Sequence, residues 1–183
     1  GIDGLALGAV DKAAGVDDDN IRMCTWLCGK SSWFLPFDKG ANGGAGNPVN
    51  PNGLRTSYLW EDILKKESLS DILENYAQVV KKKDEKTGKE KISVVWPRYH
   101  QLEVVRQLLS ETRAKGVGQR YLIQHSAGSG KSNSITWLAY QLVGLLDGTE
   151  PLMDSVIVVT DRVNLDKQIR DNIAAFKRLS NLV

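Results

Sequence analysis

The chain has 183 residues, of which 42% are hydrophobic and 25% charged, and its formal net charge is +2. That balance describes an ordinary folded protein, large enough for one good core or parts of two domains, and excludes a disordered chain. A near-neutral total neither requires nor excludes a nucleic-acid partner, because a small basic face can sit inside it.

Gly1 to Gly15 lack a basic start followed by a long apolar run, so no secretory signal is expected, and nowhere do about 18 apolar residues run together to cross a membrane. The expectation is a cytoplasmic protein. The opening on Gly1 rather than Met points to a processed or truncated product. Cys24 and Cys28 cannot form a disulfide framework or a four-ligand zinc site, and a spacing of four is not that of a redox pair. They read as packing thiols in a reducing compartment.

Asp17, Asp18 and Asp19 precede the first apolar segment and read as a solvated turn rather than a metal site, since no spaced partner ligands follow. Asn20 to Leu27 alternates as a strand does, Ser32 to Phe37 reads as a second strand, and Cys28-Gly29-Lys30 would turn between them. Lys39 to Arg55 is so dense in Gly, Asn and Pro that it holds neither a helix nor a central strand; it reads as a long loop at a domain boundary. Leu59, Ile63 and Leu64 then suggest one helix. Leu69, Ile72, Leu73 and Tyr76 suggest another, begun by the capping pattern Ser68-Leu69-Ser70-Asp71. Lys81 to Lys91 reads as a charged, mobile, solvated loop.

From Ile92 onward the rhythm changes. Leu102, Val105 and Leu109 mark an amphipathic helix, and Tyr121 to Gln124 a short strand. Ile135, Leu138, Leu142 and Leu145 mark the next helix, Val156 to Val159 a buried strand, and Leu165, Ile169, Ile173 and Phe176 a last helix. Strands alternating with helices predict an α/β fold with a parallel sheet and right-handed crossovers. No internal repeat is present.

The stretch that carries chemistry is Gln124-His125-Ser126-Ala127-Gly128-Ser129-Gly130-Lys131-Ser132. Gly128 and Gly130 let the backbone turn sharply and bring its N–H groups, those of Ala127 and Ser129 among them, against phosphate oxygens. Lys131 supplies a point charge for terminal phosphates, the Ser132 hydroxyl suits Mg2+, and a helix starting here aims its positive end at the anion. Gly-x-Gly-Lys-Ser/Thr arises by chance in roughly one chain in a hundred of this length, and the required flanking strand and helix lower that further. The common phosphate loop opens on a Gly where this chain has His125, a departure that helicase-like motors tolerate better than kinases or GTPases.

With these residues in place, the chain resembles the R (restriction) subunit of type I restriction-modification enzymes, which couples ATP hydrolysis to DNA translocation and cleavage. The resemblance runs from about Asp17 to the end. It rests on Trp-Phe-Leu-Pro-Phe (Trp33 to Phe37), Gly-Gly-Ala-Gly-Asn-Pro (Gly43 to Pro48), Pro-Asn-Gly (Pro51 to Gly53) and Tyr-Leu-Trp (Tyr58 to Trp60). It continues through Pro-Arg-Tyr-His-Gln (Pro97 to Gln101), the phosphate loop, and Val-Ile-Val-Val-Thr-Asp-Arg (Val156 to Arg162).

The resemblance implies a RecA-like P-loop motor lobe, in part, over residues 92–183, with a helical linker and charged loop over 39–91 and the tail of a nuclease-like domain over 1–38. It implies that Gln101 reads adenine through its amide, which has the donor and acceptor an adenine edge needs. Lys131 and Ser132 take the phosphate and Mg2+ roles, and Thr160 and Arg162 touch the nucleic-acid backbone, a sequence-independent grip suited to a translocase. ATP and Mg2+ are the implied cofactors. Double-stranded DNA and the methylation and specificity subunits are the implied partners. The family's acidic pair and arginine finger lie downstream of the region matched, and its nuclease Asp and Glu-x-Lys residues upstream, so no catalytic residue is assigned in this chain. The expectation is a fragment that keeps the ATP-binding loop without efficient turnover. Two other readings stand beside it: a non-enzymatic remnant or interaction module, and a stand-alone P-loop phosphotransferase.

Overall fold

A computed structural model describes residues 16–25, 27, 29–83, 88, 90–161 and 163–180. The expectations placed on Gly1 to Gly15, Cys28 and Arg162 lie outside these. The described residues fall into two units that divide between His100 and Gln101. No described helix is long and apolar enough to cross a membrane.

The first unit opens with the turn at Asp17, whose carboxylate accepts the N–H groups of Asp19 at 2.8 Å and Asn20 at 2.7 Å. Those two bonds hold the carboxyl below the usual carboxylate range. The acidic run is thus a turn, and among the described residues no group of three or more His, Cys, Asp or Glu could hold a metal. Strands β1 (Arg22–Met23) and β2 (Leu35–Pro36) pair antiparallel over two residues, with a 3-10 turn at Gly29–Ser31 between them. The ladder is shorter than the alternation predicts, because Pro36 has no N–H to donate. Ile21 and Cys24 are nevertheless buried, as is Phe37.

The Gly/Asn/Pro-rich stretch is tied down in large part by the side chain of Asn47, which is 4% exposed. Its amide donates to the carbonyl of Asp19 and to the Asp38 carboxylate, each at 2.9 Å, and its oxygen accepts the Lys39 N–H at 2.8 Å. The same Asp38 oxygen accepts the Ile21 N–H at 2.7 Å. Thr56, also buried, donates its hydroxyl to the Asp17 carbonyl at 3.0 Å. Backbone groups that glycine and proline leave without a ladder thus find partners in side chains, as buried backbone must.

The helix expected around Leu59 is a single π-helical turn, Leu59–Ile63, whose apolar ends are buried. Helix α1 (Lys66–Asn75) starts two residues before the predicted Ser68 cap; Lys65 stands at the cap with extended ψ and no side-chain bond. The core gathers Ile21, Phe37, Leu59, Ile63, Ile72 and Tyr76 with two further aromatic rings. Tyr99 meets Phe37 edge-on at 5.9 Å and Tyr58 at 5.1 Å, and the Lys39 ammonium lies 4.6 Å above the Tyr58 ring. Tyr58 donates its hydroxyl to the Phe37 carbonyl at 2.7 Å.

The largest departure from expectation is at Lys81 to Lys91. Both ends of the expected charged loop belong to strands: β3 (Gln78–Lys83) and β4 (Glu90–Val95) pair antiparallel over six residues, from Gln78 opposite Val95 to Lys83 opposite Glu90, while residues 84–87 and 89 of that expectation lie outside the described residues. Val79-Val80 and Ile92-Ser93-Val94-Val95 have the β-branched character of strands, and Gly88, at φ +67°, lies between them. The charge pattern hid this hairpin.

In the second unit, α2 (Tyr99–Lys115) buries Leu102, Val105, Leu108 and Leu109, the face predicted for it. It ends on Gly116 at φ +72°, whose N–H returns to the Thr112 carbonyl at 2.9 Å. Helix α3 (Lys131–Val143) and helix α4 (Val163–Ser180) pack against each other, with Trp137, Ala139 and Ile169 buried. The small hairpin β5 (Leu146–Asp147) and β6 (Glu150–Pro151) lies between them in sequence.

Helices with short antiparallel ladders fit an α/β fragment. The parallel sheet is not among the described pairings: all three ladders are antiparallel. Tyr121 to Gln124 and Val156 to Val159 carry no ladder, and Leu122 (93%), Ile157 (83%) and Val159 (88%) are exposed rather than buried. An apolar run becomes a central strand only where neighbours supply hydrogen bonds on both sides and cover both faces.

Candidate nucleotide-binding site

The site is built on the turn between residue 124 and α3. Gly128 (φ +75°) and Gly130 (φ +80°) both occupy the left-handed region, which side chains with a Cβ enter only at a cost. Between them Ser129 is buried, and its N–H returns to the Ser126 carbonyl at 3.3 Å. Gly130 is also the N-cap of α3, so the loop delivers the chain directly into the helix. The first-turn N–H groups of α3, which have no intrahelical acceptors, therefore belong to the loop's surroundings. Of those early residues, Asn133 returns its N–H to Gly130 at 3.0 Å.

Lys131, the first residue of α3, curls back over the loop. Its ammonium donates to the carbonyls of His125 at 2.9 Å and Ser126 at 2.8 Å. Both acceptors are neutral dipoles, a weaker hold on the charge than a carboxylate or a phosphate would be. Ser132 follows on the helix, half-buried, and its carbonyl accepts the Thr136 hydroxyl at 2.8 Å. Ala127 and Gly128 are exposed. Loop, lysine and serine are thus consecutive along the chain, with the Lys131 ammonium turned onto the loop's own carbonyls.

Gln101 joins them, 3% exposed. Its side-chain amide donates to the Ser129 carbonyl at 3.1 Å and to the Gly130 carbonyl at 2.9 Å. The donor half of the amide expected to read adenine is thus engaged with the phosphate loop. Residues 28 positions apart in sequence share no local pattern, and nothing in the sequence announces this bond. The same holds for the amide of Asn172 on α4, which reaches Asn133 Oδ1 on α3 at 3.4 Å.

The donor set suits a nucleoside triphosphate: N–H groups at a helix start, one ammonium, and one hydroxyl on the next residue. Thr160 lies half-buried in the segment between β6 and α4.

Comparison with known families bears on the second part of the chain. Residues 100–182 match the family model of the SWI2/SNF2 ATPases. The match marks this stretch as a helicase-like ATPase motor region, and it takes in Gln101, the whole loop from His125 to Ser132, and the Thr160–Arg162 segment. Such a motor uses ATP. No curated protein and no solved structure matches the chain.

Proposed function

We propose that this chain is part of an ATP-dependent DNA translocase of the type I restriction kind, the motor that drives double-stranded DNA past a nuclease in complex with methylation and specificity subunits. The observation that supports it most is the pairing of a correctly turned Gly128–Ser132 loop with a buried Gln101 that grips the loop from α2. The restriction-type strings Trp33 to Phe37 and Gly43 to Pro48 favour the restriction motor over other members of the helicase-like group.

In this reading the loop N–H groups from Ala127 to Gly130 receive the β-phosphate, and Lys131 leaves its two carbonyls to meet the terminal phosphates. Ser132 would hold Mg2+, which would supply charge neutralisation to the bound triphosphate. Gln101 keeps the loop in register and turns its amide acceptor toward the base. Thr160 and Arg162 grip the DNA backbone without reading sequence.

Titration of a fluorescent ATP analogue against the wild-type chain and Lys131→Ala tests the nucleotide half of this proposal. Loss of a charge-assisted contact lowers affinity by roughly ten- to a hundredfold. Equal signals from the two proteins would reject it.

A further inference from the structure

The carbonyl of Gly130 is a meeting point. It accepts the side-chain amide of Gln101 at 2.9 Å and the backbone N–H of Asn133 at 3.0 Å, so α2, the phosphate loop and the first turn of α3 share one acceptor. Asn133 carries the connection outward: its Oδ1 accepts the amide of Asn172 at 3.4 Å. Asn172 sits midway along α4, the helix into which the Thr160 segment leads. Hydrogen bonds thus run from α2 through the loop to α4, all within the second unit.

The setting of Asn172 makes the last link informative. It lies one helical turn beyond Ile169, which is buried, and beside Ile173, which is half-buried, so its amide stands in the seam where α4 packs on α3. Both asparagines are themselves half-buried. An amide placed in such a seam loses hydration that only a partner restores, so an apolar side chain there would favour stability more. What an amide pair adds is register, because apolar side chains exchange partners at little cost whereas an amide must meet its match. At 3.4 Å the bond is longer than most of its kind, so a small movement of the first turn of α3 is enough to tighten or break it. A phosphate held on the N–H groups of that turn acts on the same backbone that carries Asn133.

We propose that Asn133 and Asn172 are a positioning pair that passes occupancy of the phosphate loop to α4, holding the helix and the Thr160 segment before it in one register when a triphosphate is bound. Helix α4 is then the element with two arrangements, its amide joined to Asn133 or apart from it. The inference rests on the nucleotide reading of the loop, but the bond it concerns is made to neither the loop N–H groups nor Lys131.

The experiment is amide hydrogen exchange of the full chain with and without a non-hydrolysable ATP analogue and Mg2+. In the wild type the analogue should slow exchange roughly fivefold or more, both at the phosphate loop and along α4. Asn172→Leu nearly keeps the shape of the side chain and removes the bond. Its thermal midpoint should be unchanged or raised, and its affinity for the analogue should stay within about threefold of wild type. Protection at the loop should persist in this variant while protection along α4 is lost. Asn172→Gln, which restores an amide, should recover roughly half of that protection or more. Equal protection of α4 in the wild type and in Asn172→Leu would overturn this proposal alone. So would a lowered thermal midpoint with loop and α4 protection declining together, the mark of a merely structural pair. A wild-type chain without protection at the loop would instead reject the nucleotide reading, and this proposal with it.

Discussion

The side-chain amide of Gln101 lies where a Cβ on residue 130 would have to be: one built on Gly130 would come within 2.4 Å of Gln101 Nε2. The two positions, 29 apart in sequence, are thus complementary in shape as well as joined by a 2.9 Å hydrogen bond. Gly130 is required by its left-handed φ, and a Cβ there would in addition make the Gln101 amide give up its place against the loop.

Gly130→Ala should therefore destabilise the second unit by about 1–3 kcal/mol and abolish nucleotide-analogue binding. Adding Gln101→Ala removes the clash but not the backbone strain, so it should recover only part of the stability. A double-mutant cycle by urea denaturation should show a coupling of at least about 0.5 kcal/mol. Strict additivity would mean that the loop moves aside freely.

Gln101→Ala alone separates two roles. If the amide only holds the loop, affinity for ATP and GTP analogues should fall together, because the Ser129 and Gly130 carbonyls lose a buried donor worth about 1–3 kcal/mol. If it also faces the base, the preference for ATP over GTP should collapse toward unity. Competition between the two analogues measures the ratio directly, and we expect the preference to fall.

How much of this was legible in sequence varies with how local each signal is. The loop was, because Gly128, Gly130, Lys131 and Ser132 are neighbours and their conformations are set by residue type. The buried face of α2 was too, since helical periodicity is a local property, whereas α3 buries Ser134, Thr136, Trp137 and Ala139 rather than the Ile135, Leu138 and Leu142 that periodicity marks. The β3–β4 hairpin was not: lysines dominate its composition, and the β-branched residues that make it a ribbon flank the charged run. Tyr121 to Gln124 and Val156 to Val159 were read as strands from apolar runs, yet a strand is defined by partners elsewhere in the chain, which a run cannot name. Gln101 was singled out by the family resemblance, but its hold on Ser129 and Gly130 is a contact that no spacing encodes.

In the first unit, Asn47→Ala should be the costly change. It deletes three hydrogen bonds at a buried position and leaves the Lys39 N–H and the Asp19 carbonyl without that partner. We expect a loss of about 2–4 kcal/mol, measured by chemical denaturation. Asn50→Ala, at a less buried position, should cost much less.

Alkaline pH should weaken the first unit through Tyr58. Burial first, then the Asp38 carboxylate, raises its phenol well above the usual tyrosine value of 10.0. The folded protein keeps this proton where the unfolded chain releases it. The stabilisation is complete below pH 10.0 and is lost as pH rises toward the folded value. Denaturation midpoints should fall above pH 10.0 in the wild type and less steeply in Tyr58→Phe. Parallel curves would show that the phenol titrates normally.

The resting position of Lys131 changes what nucleotide binding measures. Its ammonium already satisfies two carbonyls, so a phosphate gains only the difference between an ionic partner and two dipolar ones. Binding at this loop is an exchange reaction. Part of its heat is spent releasing the His125 and Ser126 carbonyls, and calorimetry of wild type against Lys131→Ala would show an enthalpy difference smaller than a naked ammonium–phosphate pair would give.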